Sequence, residues 1–245
     1  FIGLDNYKAI LSSPEFWGVL WNTFRYIIMY IPLMLVASLG VAYLLSRQRP
    51  GVTAFRIIYY IPVLTSWVAA SMIWKSMLSP EYGAVNNILA VFGIQGPGWL
   101  LDEAWAMPAI VLVSVWKDMG FFGLILLSGM VGINKSYYEA ASLDGAGSWQ
   151  KFWKITFPLA APGIVSTSVF AFINAWNDYM IAYTFMKDQS KYTLPVWLSS
   201  FSTPTMGTDF GGQMAASVTF SLPVVVFFML IQRNIMKGVT TGAVK

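Results

Sequence analysis

Cysteine and histidine are absent from this chain of 245 residues, and charged side chains are scarce. Without cysteine there are no disulfides, thiol nucleophiles or thiolate metal ligands, and without histidine there is no imidazole base or ligand. Only 11% of the residues are Asp, Glu, Lys or Arg, whereas a typical soluble protein has about 25%. The composition therefore argues against an ordinary soluble domain and against catalysis by thiol or imidazole groups.

Apolar sequence is abundant instead, at 57% of the residues with a mean hydropathy of +0.61. Five apolar stretches each reach the roughly 20 residues that a membrane helix needs. They are approximately Phe16–Ser46, Ala54–Leu78, Met107–Ile133, Pro162–Met186 and Gln213–Met236. The sequence therefore predicts an all-α polytopic membrane protein, with about five transmembrane helices in a single domain that covers residues 1–245.

The positive charges are distributed unevenly between the predicted loops. Three groups hold nine of the fifteen basic residues: Arg47, Arg49, Arg56, Lys135, Lys151, Lys154, Arg233, Lys237 and Lys245. Five alternating spans bring these groups to one side, which the positive-inside tendency assigns to the cytoplasm. Segments 79–106 and 187–212 are then predicted outside, with a short helix near 85–92. The net charge of +4 is small and dispersed, so no nucleic-acid partner is predicted.

One polar segment interrupts the apolar sequence, and its spacing is specific. Tyr138–Gly145 reads YEAASLDG, and Ile155 and Pro158 follow it. The pattern is E-A-A, three residues, G, nine residues, I, and a proline three positions later. Ser136 with a glutamate three residues on fits a capping box. A short helix is therefore predicted to run through Leu143 and to end at Asp144 and Gly145, where glycine permits the turn.

A second short helix is predicted behind this segment, from about Ser148 to Thr156. Its two faces differ: Trp149, Phe152, Trp153 and Thr156 lie on one, and Gln150, Lys151 and Lys154 on the other. A helix of this kind is expected to lie in the membrane interface. Pro158 and Pro162 are expected to end the helix and to direct the chain into the next span.

The E-A-A pattern resembles the cytoplasmic coupling loop of ABC importer permeases, with Phe157 where that family usually has leucine. A connector between two spans does not need this spacing. The resemblance implies that loop 134–161 is cytoplasmic and docks on a separate ATPase subunit. The residues implied at this contact are Glu139, Ala140, Ala141, Asp144, Gly145, Ile155 and Pro158.

Several flanking segments resemble the carbohydrate permeases of the maltose and glycerol-3-phosphate type. They are FIGLDNY at 1–7, SVWKDMG at 114–120, AWNDY at 175–179 and the ending at 232–245. Segments typical of both subunits of such heterodimers occur here, so the subunit type stays open. In that family one more span precedes the segment that begins this chain, so the resemblance implies that spans two to six are present.

The function implied by the resemblance is that of a transmembrane permease subunit. It would move a sugar or sugar derivative into the cytoplasm by alternating access, driven by a separate ATPase, and would not be an enzyme itself. No metal or cofactor is predicted. The implied partners are ABC ATPase subunits, a second permease subunit, an extracytoplasmic solute-binding protein, membrane lipid and a small carbohydrate. The implied location is the cytoplasmic (inner) membrane of a bacterium or archaeon.

Polar side chains inside apolar stretches are candidates for a substrate path, because such groups are costly in lipid. Asn174, Asn177 and Asp178 lie in the fourth stretch, and helical spacing would place them on one face. They either hydrogen-bond sugar hydroxyls or bond to neighbouring helices. The second, structural interpretation is favoured for the charged residues of the other stretches, Arg25, Lys117 and Asp118.

Two alternative functions remain open. The same kind of importer could carry an amino acid, a peptide, phosphate or a polyamine, although the flanking segments argue against it. A secondary transporter is a different class, which would need more spans, internal repeats and buried ion sites. Substrate-dependent ATP hydrolysis by an assembled complex separates the importers from the secondary transporter.

Overall fold

The computed structural model describes residues 2–46, 51–186, 188–203 and 207–243, which are mostly helical. The α-helices are α1 (Asp5–Ser12), α2 (Pro14–Ser46), α3 (Val52–Leu64), α4 (Trp67–Met77), α5 (Ala84–Val91), α6 (Glu103–Val131), α7 (Lys135–Leu143), α8 (Ser148–Lys151), α9 (Phe157–Trp176), α10 (Met180–Phe185), α11 (Leu194–Ser199) and α12 (Phe210–Ala243). A π-helical turn (Phe152–Thr156) joins α8 to α9, and a 3-10 turn forms at Gln189–Lys191. Strands β1 (Ser202–Thr203) and β2 (Gly207–Thr208) pair antiparallel.

Four helical segments among the described residues are long and apolar enough to cross a membrane. They are Pro14–Ser46, Glu103–Val131, Ser148–Trp176 and Phe210–Gln232. A fifth candidate consists of two helices with a break between them, Ala54–Leu64 and Trp67–Met77. The all-α class and the count of about five membrane helices are therefore confirmed.

The second apolar stretch is not the single helix that its hydropathy predicted. It forms α3 and α4, separated at residues 65 and 66. Pro62 removes an amide from the last turn of α3, and Ser66 starts α4 from an extended backbone with φ −55° and ψ 137°. The buried Lys117 donates its Nζ to the carbonyl of Val63 over 3.1 Å. A cation thus satisfies a carbonyl at a helix end, as the structural interpretation of Lys117 expected.

The fourth stretch also differs from its prediction, at both ends. Helical structure begins at Ser148 and runs through the π turn into α9, so Pro158 and Pro162 do not end it. A proline ring crowds the carbonyl four residues earlier, which for Pro158 belongs to Lys154 inside the wider π turn. The π turn therefore accommodates the proline. At the other end the helix stops at Trp176, ten residues before the predicted Met186.

The chain divides into two compact units, of which unit 1 comprises residues 1–30, 65–114 and 173–230. Large side chains fill its interior, among them Tyr30, Ile110, Trp176, Ile181 and Leu194. The described residues of both segments predicted outside the membrane all belong to this unit. The short helix expected near 85–92 is confirmed as α5.

Unit 2 comprises residues 31–64, 115–172 and 231–245. Its core is an aliphatic cluster of Val41, Ala42, Leu45, Leu126, Leu127, Met130 and Ala160. Gly120 of α6 lies so close to the carbonyl of Tyr59 in α3 that a Cβ atom there would overlap it. Absence of a side chain thus permits the close approach of two helices, as is common in membranes. Ten of the fifteen basic residues fall within the ranges of unit 2.

Candidate functional site

The E-A-A segment forms α7, and its N-terminus differs in detail from the prediction. The N-cap is Asn134, whose side-chain oxygen accepts a hydrogen bond from the Ser136 amide at 3.0 Å. Ser136 therefore lies inside the helix, and the capping box predicted with Glu139 does not form. The backbone of Asn134 has the extended conformation of an N-cap, with φ −61° and ψ 130°.

The C-terminus of α7 is as predicted and forms a Schellman motif. The Ala146 amide donates to the Ala141 carbonyl at 2.8 Å, and the Gly145 amide donates to the Ser142 carbonyl at 3.1 Å. Gly145 has φ +74°, a left-handed conformation that glycine adopts without steric cost. Both ends of this short helix are therefore fixed by local hydrogen bonds.

α7 contains no buried residue. Glu139, Ala140 and Asp144 are exposed, and Ala141 is partly exposed. Leu143, at the C-terminal end, is 91% exposed. An apolar side chain left this exposed is available for contact with another protein.

Two side-chain hydrogen bonds attach α7 to the helix that follows it. The hydroxyl oxygens of Tyr138 and Thr156 lie 3.0 Å apart, and Thr156 is buried in the π turn. Lys151 Nζ donates to Ser142 Oγ at 2.6 Å. The remaining predicted contact residues, Ile155 and Pro158, belong to the π turn and the start of α9, where the first is partly buried and the second exposed.

The three polar residues predicted for a substrate path do not share one helix face. Asn174 and Asn177 are exposed, and Asn177 donates to the carbonyl of Ile173 at 2.8 Å. Asp178 lies beyond the end of α9, because helical structure stops at Trp176. The predicted i, i+4 relation between Asn174 and Asp178 is therefore wrong.

Asp178 instead belongs to a polar cluster in unit 1. The Tyr26 hydroxyl donates to Asp178 Oδ2 at 2.7 Å and lies 2.9 Å from Ser114 Oγ. Ser114 in turn donates to the carbonyl of Ile110 at 3.0 Å. Sequence reasoning missed Tyr26 and Ser114, and their positions in apolar stretches were the only signal available.

Several helices of membrane-spanning length, with a capped and exposed short helix between two of them in the chain, mark a polytopic membrane protein. Residues 8–241 match the family described as binding-protein-dependent transport system inner membrane component, and the chain belongs to this family. It is therefore a multi-pass membrane protein and a transport subunit.

Relatives of known name cover most of the chain. It is 33% identical over 225 residues to the sulfoquinovosyl glycerol transport system permease protein SmoG of Agrobacterium fabrum, covering 91% of this chain and 73% of that protein. It is 31% identical over 224 residues to the trehalose/maltose transport system permease protein MalF of Thermococcus litoralis, covering 91% and 76%.

A solved structure shares the fold. A chain of a bacterial ABC transporter that imports the acidic polysaccharide alginate aligns with a TM-score of 0.85 at 21% identity, covering 97% of this chain and 84% of that one. At this identity the similarity establishes the fold alone.

Proposed function

We propose that the chain is the permease subunit of an ATP-driven importer and that α7 docks on a separate ATPase subunit. One observation carries the proposal: a helix capped at both ends buries none of its residues and exposes 91% of Leu143. The docking surface would consist of Glu139, Ala140, Ala141, Asp144 and Gly145. Their small or polar side chains leave α7 thin enough to enter a groove on the partner.

Motion of the ATPase would reach the membrane through the attachment of α7 to the next helix. The bonds from Tyr138 to Thr156 and from Lys151 to Ser142 make α7 move with the π turn. The π turn belongs to the continuous helical segment Ser148–Trp176. A displacement of α7 would therefore shift a whole span, as rigid-body alternating access requires. Ile155 and Pro158 would act in this connection rather than in the docking surface.

A sugar or sugar derivative is the proposed cargo. Support comes from the names of the relatives, which refer to sulfoquinovosyl glycerol and to trehalose and maltose, and from the flanking segments of carbohydrate-permease type. The proposed partners are two ATPase subunits, a second permease subunit and an extracytoplasmic binding protein. Asn174 and Asn177 are exposed at the end of α9 and would offer amide groups to sugar hydroxyls. The hydrogen bond from Tyr26 to Asp178 would hold the backbone next to these two residues in place.

The absence of cysteine makes a direct docking experiment possible. Leu143→Cys introduces a single thiol at the tip of α7, and Leu101→Cys is the matched control, because Leu101 is 67% exposed in a segment predicted outside. A thiol-to-amine crosslinker should join position 143, and not position 101, to the co-expressed ATPase. Equal crosslinking at both positions, or none at 143 in a complex that hydrolyses ATP, would contradict the docking proposal.

A further inference from the structure

We propose that unit 2 binds one anionic phospholipid, with its headgroup in a basic cavity and an acyl chain in an adjoining apolar groove. The site lies beside the proposed docking surface but is distinct from it, and it does not depend on which solute is carried. Both parts of the site belong entirely to unit 2.

The basic cavity has a volume of 430 Å³, within the range of about 300–1,000 Å³ that is typical of small-molecule sites. It is bounded by the C-terminal ends of α2 and α6, by α7 and by the helix that begins at Ser148. Among the described residues that line it, both charged side chains are lysines, Lys135 and Lys151. The hydroxyl groups in its lining belong to Tyr43, Ser46, Tyr138, Ser148 and Thr156.

The two lysines and the hydroxyls suit a phosphate diester. The ammonium group of Lys151 has three N–H donors, and its bond to Ser142 Oγ uses one of them. Ser142 Oγ accepts that bond because its own hydrogen is donated to the carbonyl of Tyr138 at 2.7 Å. This pair of bonds holds the ammonium at the cavity wall. Hydrogen bonds from an ammonium to a phosphate oxygen are strong, since both groups are charged.

The apolar groove has a volume of 510 Å³ and continues from the cavity. Three residues line both parts: Tyr43, Ser148 and Phe152. Val36 and Leu39 of α2 line one wall of the groove, and Trp153 lines part of the opposing wall. A Cβ atom added at Gly40 would meet no atom within 4 Å, so the floor of the groove between the walls is open.

A phospholipid accounts for both parts at once, whereas a soluble anion would leave the groove uncovered. Val36 is 69% and Trp149 72% exposed, and both lie in membrane-length helical segments. The rings of Trp149 and Phe152 stack at 6.3 Å with an interplanar angle of 24°, which gives the groove a flat aromatic side. Basic residues next to a span attract the anionic lipids of the cytoplasmic leaflet, where the charge distribution places this loop.

Native mass spectrometry of the assembled complex, after exchange into defined lipid, tests the proposal. The mixture contains equal amounts of phosphatidylglycerol and phosphatidylcholine. Wild type should retain one phosphatidylglycerol per copy of this chain. The double variant Lys135→Gln/Lys151→Gln should retain it about 25-fold more weakly, because each basic residue near a membrane surface contributes about a factor of five. Lys154→Gln is the matched control, since Lys154 is exposed in the same segment but does not line the cavity.

Three results would overturn the proposal: equal retention of the two lipids by wild type, equal loss in the double variant and the Lys154→Gln control, or displacement of phosphatidylglycerol by glycerol phosphate alone. The last would identify a site for a soluble anion. Copurification of the ATPase establishes that the double variant is folded and assembled, although it lacks the bond from Lys151 to Ser142. Crosslinking at position 143 tests the docking proposal separately, so failure of either proposal is recognised without the other.

Discussion

Tyr138 and Thr156 are eighteen residues apart, and their hydroxyl oxygens lie 3.0 Å from each other. Tyr138 belongs to α7, which buries nothing, and Thr156 is buried at the end of the π turn. This hydrogen bond therefore connects an exposed helix to a membrane-length one. In the proposed mechanism it is part of the path by which a movement of the ATPase reaches the span.

Tyr138→Phe should weaken this connection and leave the rest of α7 intact. Loss of one hydrogen bond costs about 1 kcal/mol, so the complex should still assemble. Stimulation of ATP hydrolysis by the loaded binding protein should fall several-fold in reconstituted membranes. Tyr137→Phe is the control, because the neighbouring Tyr137 is half exposed and its replacement should leave stimulation unchanged. Equal effects of the two variants would exclude a coupling role for the Tyr138 hydroxyl.

Gly145→Ala should disrupt the end of α7, whereas Gly147→Ala should not. A side chain at a left-handed position costs about 1–2 kcal/mol, and Gly145 has φ +74° while Gly147 has φ −69°. No atom lies within 4 Å of a Cβ at either position, so the two variants differ mainly in backbone strain. Gly145→Ala, and more strongly Gly145→Val, should uncouple transport while the protein stays in the membrane. Normal uptake by well-expressed Gly145→Val protein would refute the docking role of α7.

Gly120→Ala should destabilise unit 2, because its methyl group would overlap the carbonyl of Tyr59. Overpacking of this kind costs about 1–3 kcal/mol. Gly129→Ala, in the same helix and with open space around the new methyl group, is the matched control. Melting temperatures in detergent should fall for the first variant and stay level or rise for the second. Alanine is the better helix former, so a fall of equal size in both variants would show that the close approach to Tyr59 does not govern the effect.

Tyr26→Phe should lower stability in unit 1, since it removes the donor at 2.7 Å from Asp178. Removal of one partner of a buried hydrogen bond costs about 1–3 kcal/mol. Tyr82→Phe, at a position that is 69% exposed, serves as the control. The melting temperature should fall for Tyr26→Phe only, and KM for the transported solute should rise if Asp178 positions the adjoining path. A variant as stable as wild type would mean that the cluster contributes little.

Local chemistry determines which features of this fold were predictable. The end of α7 was predicted because the Gly145 turn depends on residues within five positions of it. The prediction of Ser136 as the N-cap was wrong because Asn134 and Ser136 are both good capping residues and the sequence does not rank them. The break after Leu64 was missed because proline is often tolerated within membrane helices, and Lys117, which bonds to Val63, lies 54 residues away along the chain.

Some features of the candidate site could be predicted from the sequence and others could not, for the same reason. Exposure of α7 could be expected from its polar sequence, whereas its attachment to Thr156 could not, because it depends on the path of the intervening chain. Asp178 was predicted as a candidate residue of the substrate path, but its partner Tyr26 could not be predicted because it lies 152 residues away along the chain. The lipid groove was not predicted either: the aromatic face from Trp149 to Phe152 was recognised, but the opposing wall comes from α2.

Leu143 has a consequence for biogenesis. Under the docking proposal, a subunit made without its ATPase leaves this leucine 91% exposed, whereas assembly with the ATPase covers it. The assembled and unassembled forms of the permease would therefore differ in the exposure of this one side chain.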